Sequence, residues 1–481
     1  MYEFKTKPFQ HQQDFFNSTR NELAWAVFWE QGTGKTKATI DTTATKYDQG
    51  EIDGLLVVAP NNVHRNWVSD EIPTHLPDRI QRRCHIYSTA KHKSKAHIES
   101  LQKCIAFDGL AILTMSYDAF TTSHGKAAAK EFLTKRKTMY VLDESLRIKN
   151  PTTTRTRTIL ASSKYAYHKR ILTGTPVSQG PFDVYSQMKF LDEDFWLAHG
   201  FGSYTLFKSY FGIFVKGKNP TTGQFFDMLT GYKNLPLLER ILKTKSSRVT
   251  KEEVLDLPPK VYTKRYFDMD AKQQQLYDQL RVDFLTLLDS GELITAALAI
   301  VRLMRLQQIT CGYAQSDDPD SEPIMIMGPE HPRMRCLLDV LEDIPHQAII
   351  WARFRQDITN ICKKLGKEAA RYDGMLDDCA RLDSLKRFRD GEAKYFVANP
   401  ACVSEGLTLT EAKTTIYYNN SFKLNERQQS EDRNHRIGQD QSVNYIDIVC
   451  ANSVDEKIVA KLVAKANIAA EITGDSIREW L

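Results

Sequence analysis

One segment of the chain leaves few folds open: an apolar run, AWAVFW at 24–29, passes at once into the glycine-punctuated turn Glu30-Gln-Gly32-Thr33-Gly34-Lys35-Thr36. An apolar run, such a turn and an amphipathic segment after it read as strand, phosphate-cradling loop and helix. Gly32 and Gly34 free successive backbone N–H groups to converge on phosphates, Lys35 neutralises the β and γ oxygens, and the Thr36 hydroxyl is suited to ligate Mg²⁺. A nucleoside triphosphate held by Gly32, Thr33, Gly34, Lys35 and Thr36 is the expectation. Trp29 stands where the usual pattern has its first glycine. The motif alone therefore leaves an ordinary glycine-rich strand-to-helix turn as the competing reading.

The rest of the chain repeats the pattern. LLVVAP at 55–60, LAILT at 110–114, MYVLDE at 139–144 and RILTG at 170–174 are short, nearly continuous apolar runs separated by helical segments. They predict a parallel sheet covered on both faces, with chemistry at the carboxyl ends of its strands. From 192 to 330 the texture changes to aromatic-rich and helical stretches, including FGSYTLFKSYFGIF, KQQQLYDQLRVDFLTLLDS and ELITAALAIVRLMRLQQI, and ends in the acidic loop AQSDDPDSEP. Strand-helix alternation returns with QAIIWA, AKYFVAN, TTIYYNN and VNYIDIVC. The expected class is α/β, with one lobe over 1–191, a helical interlobe segment over 192–330 and a second lobe over 331–481.

Length and composition fit this layout. A chain of 481 residues, 42% hydrophobic and 26% charged, can bury two or more cores without metal or disulfides. It has no long apolar stretch, no secretory signal and no paired spacing among its eight cysteines. A cytoplasmic protein without membrane, zinc or disulfide framework is expected. The formal net charge of +5 does not establish a polyanionic partner. Basic residues do gather at Arg82, Arg83, Lys91, Lys93 and Lys95, and again at Lys126, Lys130, Lys135, Arg136 and Lys137. Each cluster reads either as a phosphate-facing stripe or as a solvated surface.

Two further motifs carry chemistry. In MYVLDES, Asp143 is placed to hold Mg²⁺ through water and Glu144 to orient or deprotonate an attacking water; the competing reading is a helix cap. In RILTGTP, Thr173 follows a strand and is suited to sense the γ-phosphate. Far downstream, QSEDRNHRIGQ spaces Arg433 and Arg436 three residues apart, on one face if helical. Such a pair reads as arginine fingers acting on the transferred phosphoryl group, or as a surface helix with Glu431 and Asp432 in a salt-bridge network.

In their order these motifs resemble the Swi/Snf-type branch of the superfamily-two helicases, the double-stranded DNA translocases, along nearly the whole chain. PFQHQQDFF is similar to the adenine-recognising Q motif, with Gln12 in register. VVAPNNVHRNWVSDE and LTMSYDAF resemble the next two motifs, and DESLRIKN the family's DEAH-R-IKN segment. SRVTKEEVLDLPPK, LMRLQQITCG, IIWARF and YDGMLDDCARLDSLKRF follow, and ANPACVSEGLTLTEA and QSEDRNHRIGQDQSV resemble the fifth and sixth motifs.

The resemblance implies two RecA-like lobes in tandem, ATP and Mg²⁺ as cofactors, and a nucleotide site that also draws on Gln12, Gly406 and Gln439. Sequence-independent tracking along duplex or branched DNA is implied too. Thr114, Ser116, Asn150, Arg353, Ser404 and Thr408 are its candidate contacts. A monomeric motor is expected. The short remainder after Arg436 suggests a compact bacterial or bacteriophage member, acting in branch migration or fork remodelling. Three departures stand out. Leu146 replaces the histidine of DEAH, so coupling is expected through Thr173 or Gln439; Thr408 replaces an asparagine, and FKLN a Trp-Asn-Pro. A strand-separating DNA or RNA helicase and a non-hydrolysing, nucleotide-gated DNA-binding module are the alternatives.

Overall fold

Strands apolar on both faces must be covered on both, and the chain achieves this twice. A computed structural model describes residues 2–61, 63–218, 225–289, 296–315, 322–402 and 407–475. The chain divides into two compact units: Met1–Gly212 with Tyr232–Asp256 and Ile468–Ile477, and Ile213–Gly231 with Leu257–Asn467 and Arg478–Leu481.

In the first unit, β1 (Ala24–Trp29), β2 (Gly54–Ala59), β3 (Arg82–Ile86), β4 (Leu110–Ser116), β5 (Thr138–Asp143) and β6 (His168–Leu172) lie in one sheet. β7 (Gly212–Lys218) and β8 (Phe225–Tyr232), which fall almost wholly in the second unit, pair with each other, and β9 (Ser246–Val249) completes the first sheet. The order is β3-β4-β2-β5-β6-β1-β9, parallel at every pairing. Period-two alternation sorts its side chains. Leu55, Val57, Val141 and Leu172 pack with Ile40 and Ala44 on one face, whereas Leu56, Val58, Leu113 and Leu142 meet Phe132, Ile159 and Met188 on the other. Burying each large side chain is worth about 1.5–3 kcal/mol, which is why β2, central and fully buried, tolerates no polar residue.

The second unit repeats the plan with β10 (Lys260–Phe267), β13 (Ala348–Trp351), β14 (Ala369–Tyr372), β15 (Tyr395–Ala398), β16 (Thr414–Tyr417) and β17 (Val443–Cys450). The strands β11 (Tyr313–Ala314) and β12 (Ile324–Met325) form a separate small ribbon. The large sheet runs β10-β17-β16-β13-β15-β14, again all parallel. Ile350, Val397 and Ile416 pack with Leu337, Ile358 and Ile361 on one face; Ile349, Trp351, Phe396 and Tyr417 pack with Phe388 on the other.

All nine expected strands are present and each is interior to its sheet, β1, β4, β15 and β17 because an edge strand not foreseen covers each of them. The four strands of the two large sheets that were not foreseen, β3, β9, β10 and β14, are the edges of those sheets. Residues 246–249 and 260–267, from the interlobe segment, thus complete one sheet each. The two long helical stretches of that segment appear as helices Ala271–Asp289 and Ala296–Thr310, and most of its acidic loop lies outside the described residues. Among the described residues no helix is long and apolar enough to cross a membrane.

Candidate nucleotide site

Because β5, β6 and β1 are neighbours and parallel, their carboxyl ends open on one edge of the first sheet. The glycine turn follows β1, Asp143 ends β5, and Thr173 follows β6. Three motifs spread over 140 residues of sequence are thereby brought side by side.

The turn is built as its sequence requires. Gly32 and Gly34 have φ of +84° and +82°, a region that side chains disfavour, and a Cβ on Gly34 would sit 1.9 Å from Gln12 Nε2. Glu30 carbonyl accepts from Thr33 Oγ1 at 2.8 Å and Lys35 Nζ at 3.1 Å. Lys35 is buried and opens the 14-residue helix α2 (Lys35–Asp48), whose second residue is the half-buried Thr36. Trp29 needs no glycine's freedom, since it is the last strand residue. Its ring packs edge-on against His11 and Phe15, and its Nε1 donates to Ser247 Oγ at 3.0 Å. A loop of αL glycines leading to a helix N-terminus, with a lysine already turned into it, fits a triphosphate.

Gln12 is not held open for a base in this structure. It is buried, and its Nε2 donates to Thr33 O at 3.2 Å and Gly34 O at 3.4 Å while its Oε1 accepts from Phe9 N at 3.0 Å. His11 reaches the same Thr33 carbonyl at 2.8 Å. Residues of the helix α1 (Gln10–Thr19) therefore grip the turn from behind, and pairing of Gln12 with adenine would exchange these bonds.

At the end of β5, the Trp67 indole donates to Asp143 Oδ2 at 2.9 Å. Burial pushes the Asp143 carboxyl up, against the Trp67 bond and the Lys35 charge, which hold it down. Glu144 follows in the left-handed region, φ 55° and ψ 55°, unusual for a residue with a side chain. Its Oε2 accepts from Thr173 Oγ1 at 3.2 Å. The acid is thus hydrogen-bonded directly to the Thr173 turn, and Ser145 Oγ, bonded to Gln187, whose Nε2 donates to Pro176 O, makes a second link between the two segments. Lys149 of the same segment donates to Ser178 Oγ at 2.8 Å, beside Asp183.

One residue had no role foreseen. Arg248, on the edge strand β9, donates through Nη1 to Phe28 O at 2.7 Å and Gly174 O at 3.1 Å. Its Nε and Nη2 bind the Asp475 carboxylate at 2.9 and 2.7 Å, and Glu30 lies 3.5 Å from Nη2. One guanidinium thus ties the strand before the glycine turn to the Thr173 turn. Its sequence context, SRVTKE, carried only motif order as a signal.

In the second unit the two arginines are not on a helix. The helix Leu424–Glu431 ends before them, and Asp432–Gly438 forms turns. Arg433 and Arg436 nevertheless converge, since both guanidiniums donate to Leu407 O, at 3.4 and 3.3 Å. Arg433 is only 2% exposed and also bonds Gln429 O, whereas Arg436 is half-buried and adds Thr408 Oγ1 at 3.0 Å. Glu431 forms no surface network with Asp432; it is buried among Lys260, Tyr262 and Arg427. Gln439 Nε2 is used within its own unit by Thr410 O, Ala412 O and Asn434 O.

The expected backbone-tracking residues divide by burial. Thr114 is 0% exposed, with its hydroxyl sealed in the sheet, so it is a core residue and not a surface contact. Ser116 is buried at the carboxyl end of β4, Asn150 is exposed, and Arg353 is half-buried, its Nη1 on Gln307 Oε1 at 3.0 Å. Thr408 is half-buried beneath Arg436. Ser404 and Gly406 lie outside the described residues.

The profile of the SNF2-related domain matches residues 19–313, and that of the helicase conserved C-terminal domain matches residues 332–438. CHR12 of Arabidopsis thaliana is 27% identical over 94% of this chain and 40% of its own length. The DNA annealing helicase and endonuclease ZRANB3 of Homo sapiens is 25% identical over 98% of this chain and 40% of its own. The chain thus spans about two fifths of the length of these relatives. The Sulfolobus solfataricus SWI2/SNF2 ATPase core in complex with dsDNA aligns over 98% of this chain and 95% of that one, at 22% identity and a TM-score of 0.42. With the SNF2-related profile alone spanning more than half of it, the chain belongs to the SNF2 family of superfamily-two helicases.

Proposed function

We propose that the protein is a DNA-stimulated ATP hydrolase that moves along duplex DNA without reading its sequence. The observation that carries this reading is the junction of the glycine turn, the Asp143–Glu144 pair and Thr173 at three adjacent strand ends, with Glu144 bonded to Thr173. When bound, ATP supplies the phosphoanhydride bond whose cleavage drives the cycle. The amides of 32–36 and Lys35 would hold the phosphates, and Thr36 and Asp143 would hold Mg²⁺, which would neutralise phosphate charge there. Glu144 orients a water and takes its proton, and Thr173 reports the occupancy of that position to the Gly174–Ser178 turn. Arg436, with Arg433 behind it, supplies positive charge to the transferred phosphoryl group.

Ser116, Asn150, Arg353, Ser404 and Thr408 are proposed as backbone contacts, which carry no base information and weaken with salt. The name of ZRANB3, DNA annealing helicase and endonuclease, supports DNA as the polymer acted on. The chain acts as a monomeric motor in this reading.

ATP turnover measured with duplex, forked and single-stranded DNA and with RNA tests the assignment. Stimulation by duplex or forked DNA is expected, and stimulation by RNA alone would overturn it. Lys35→Ala should lose nucleotide binding and turnover, while Glu144→Gln should retain nucleotide without hydrolysing it. Wild-type turnover in both would remove the site.

A further inference from the structure

Lys91, Lys93, Lys95 and Lys130, from the two basic clusters of the first unit, take no part in the nucleotide site and lie on the segments that frame one cleft. It measures about 470 Å³ and opens between the end of β3, the helix Lys95–Ile105 and the helix Ser123–Lys135. Tyr87, His92, His97 and His124 line it, with Leu101 and Ala128 among its apolar surfaces. The imidazoles of His92 and His124 are stacked, 3.8 Å between centroids and 13° apart, and His97 lies edge-on to Tyr87 at 5.4 Å. Tyr87 is 5% exposed, and its hydroxyl is buried with no hydrogen-bond partner among the described residues; His92 Nε2 is in the same condition. Two unpartnered polar atoms at a cleft wall are costly unless something else meets them.

The chemistry around the cleft narrows what that is. Those four lysines are exposed, and burial, with the Lys91 charge second, holds His97 below its usual range. Near neutral pH His97 is thus an uncharged ring, while the surrounding lysines carry the positive charge. Flat aromatic rings with a hydroxyl and a ring nitrogen to pair, beside segments that carry exposed lysines, match a base carried on a phosphate backbone. Glu131, on the same helix, can accept from an exocyclic amine but would repel a free anion.

We propose that this cleft is a second nucleic-acid site, one that takes an unpaired base of a single strand. The base stacks on the His92–His124 pair and meets Tyr87 Oη and His92 Nε2, and the lysines hold the flanking phosphates. The site goes beyond duplex tracking, because a paired base cannot enter it.

Full-length protein titrated with a fluorescent single-stranded oligonucleotide, and with the same backbone made abasic, tests this by anisotropy. His124→Ala and Tyr87→Phe should each weaken the base-bearing strand by about five- to tenfold and leave the abasic strand unchanged. Lys91→Ala combined with Lys93→Ala should weaken both strands. Iodouracil in the strand should photo-cross-link to Tyr87, His92, His97 or His124. Duplex-stimulated ATP turnover of the His124 and Tyr87 variants should stay at the wild-type level, so failure of the motor reading and failure of the cleft read out separately. Equal affinity for the two strands, cross-links confined to other residues, or binding of an acidic peptide in place of the strand would overturn the inference.

Discussion

Thr173 Oγ1 donates to Glu144 Oε2 at 3.2 Å, joining the proposed water-activating acid to the turn after β6 by a single hydrogen bond. The DEAH segment that this stretch resembles has a histidine at the position of Leu146, and Leu146 is buried and has no polar atom to offer. The Thr173 hydroxyl is a polar group in contact with Glu144 that can take the histidine's part. Thr173→Val should lower ATP turnover by about 10- to 100-fold while changing nucleotide affinity by less than about threefold. Thr173→Ser, which keeps the hydroxyl, should recover most of it. Turnover of the valine variant equal to wild type would show that Glu144 needs no partner.

Arg248 is the proposed positioning residue of the site. Its truncation leaves Phe28 O and Gly174 O without that donor and Asp475 without that cation. Arg248→Ala should destabilise the first unit by about 2–4 kcal/mol and reduce kcat for ATP. Arg248→Lys should recover stability better than kcat, because a lysine keeps the charge and loses the fork that spans two carbonyls. Thermal unfolding alongside steady-state kinetics separates the two. A lysine variant with both restored together would mean that Arg248 only holds the fold.

What could be read in the sequence follows from where water is. Strands covered on both faces must be nearly all apolar, so β2, β5, β13 and β16 show themselves as short runs. Edge strands have one side unpaired and tolerate charge, and RRCHI, SSRV, KVYTKRYF and AARY carry no such run. The glycine turn and Asp143 were legible for a related reason, since phosphate and Mg²⁺ chemistry fixes residue types at fixed spacings. Thr114 was misplaced because a threonine near a strand end has the same letter whether its hydroxyl faces solvent or the core. Arg248 was silent because its partners, Phe28 O and Gly174 O, are backbone atoms distant in sequence, and carbonyls leave no mark in composition.

The two arginines after the helix Leu424–Glu431 should separate by phenotype. Arg433 is almost wholly buried and its own carbonyl accepts from Leu409 N, so it is part of the frame. Arg433→Ala should lower the unfolding temperature, at about 2–4 kcal/mol, together with any loss of turnover. Arg436 retains exposure and holds Thr408. Arg436→Ala should leave stability near wild type and ATP affinity within about threefold, while turnover falls by roughly a thousandfold or more. Unchanged turnover in this variant would show that the second unit supplies no catalytic cation through Arg436.

Asp357 gives the second unit a pH dependence of a definite sign. It is fully buried, and burial pushes its carboxyl up to about 7, against the Asn419 bond and the Arg333 charge that hold it down. Asn419 Nδ2 donates to Asp357 Oδ2, and Asn419 Oδ1 accepts from Arg353 N at 2.6 Å, so the acid supports the loop that carries Arg353. A folded value above the unfolded one means that the folded chain holds the proton more tightly. Stability from this group is therefore full below about 4 and is lost as pH rises to about 7. Asp357→Asn removes the titration and keeps an oxygen for Asn419. Thermal unfolding at pH 5 and pH 8 should show a smaller decline for the variant than for wild type, with the variant the more stable at pH 8. A parallel decline in the two proteins would show that Asp357 is ionised in the folded chain throughout that interval.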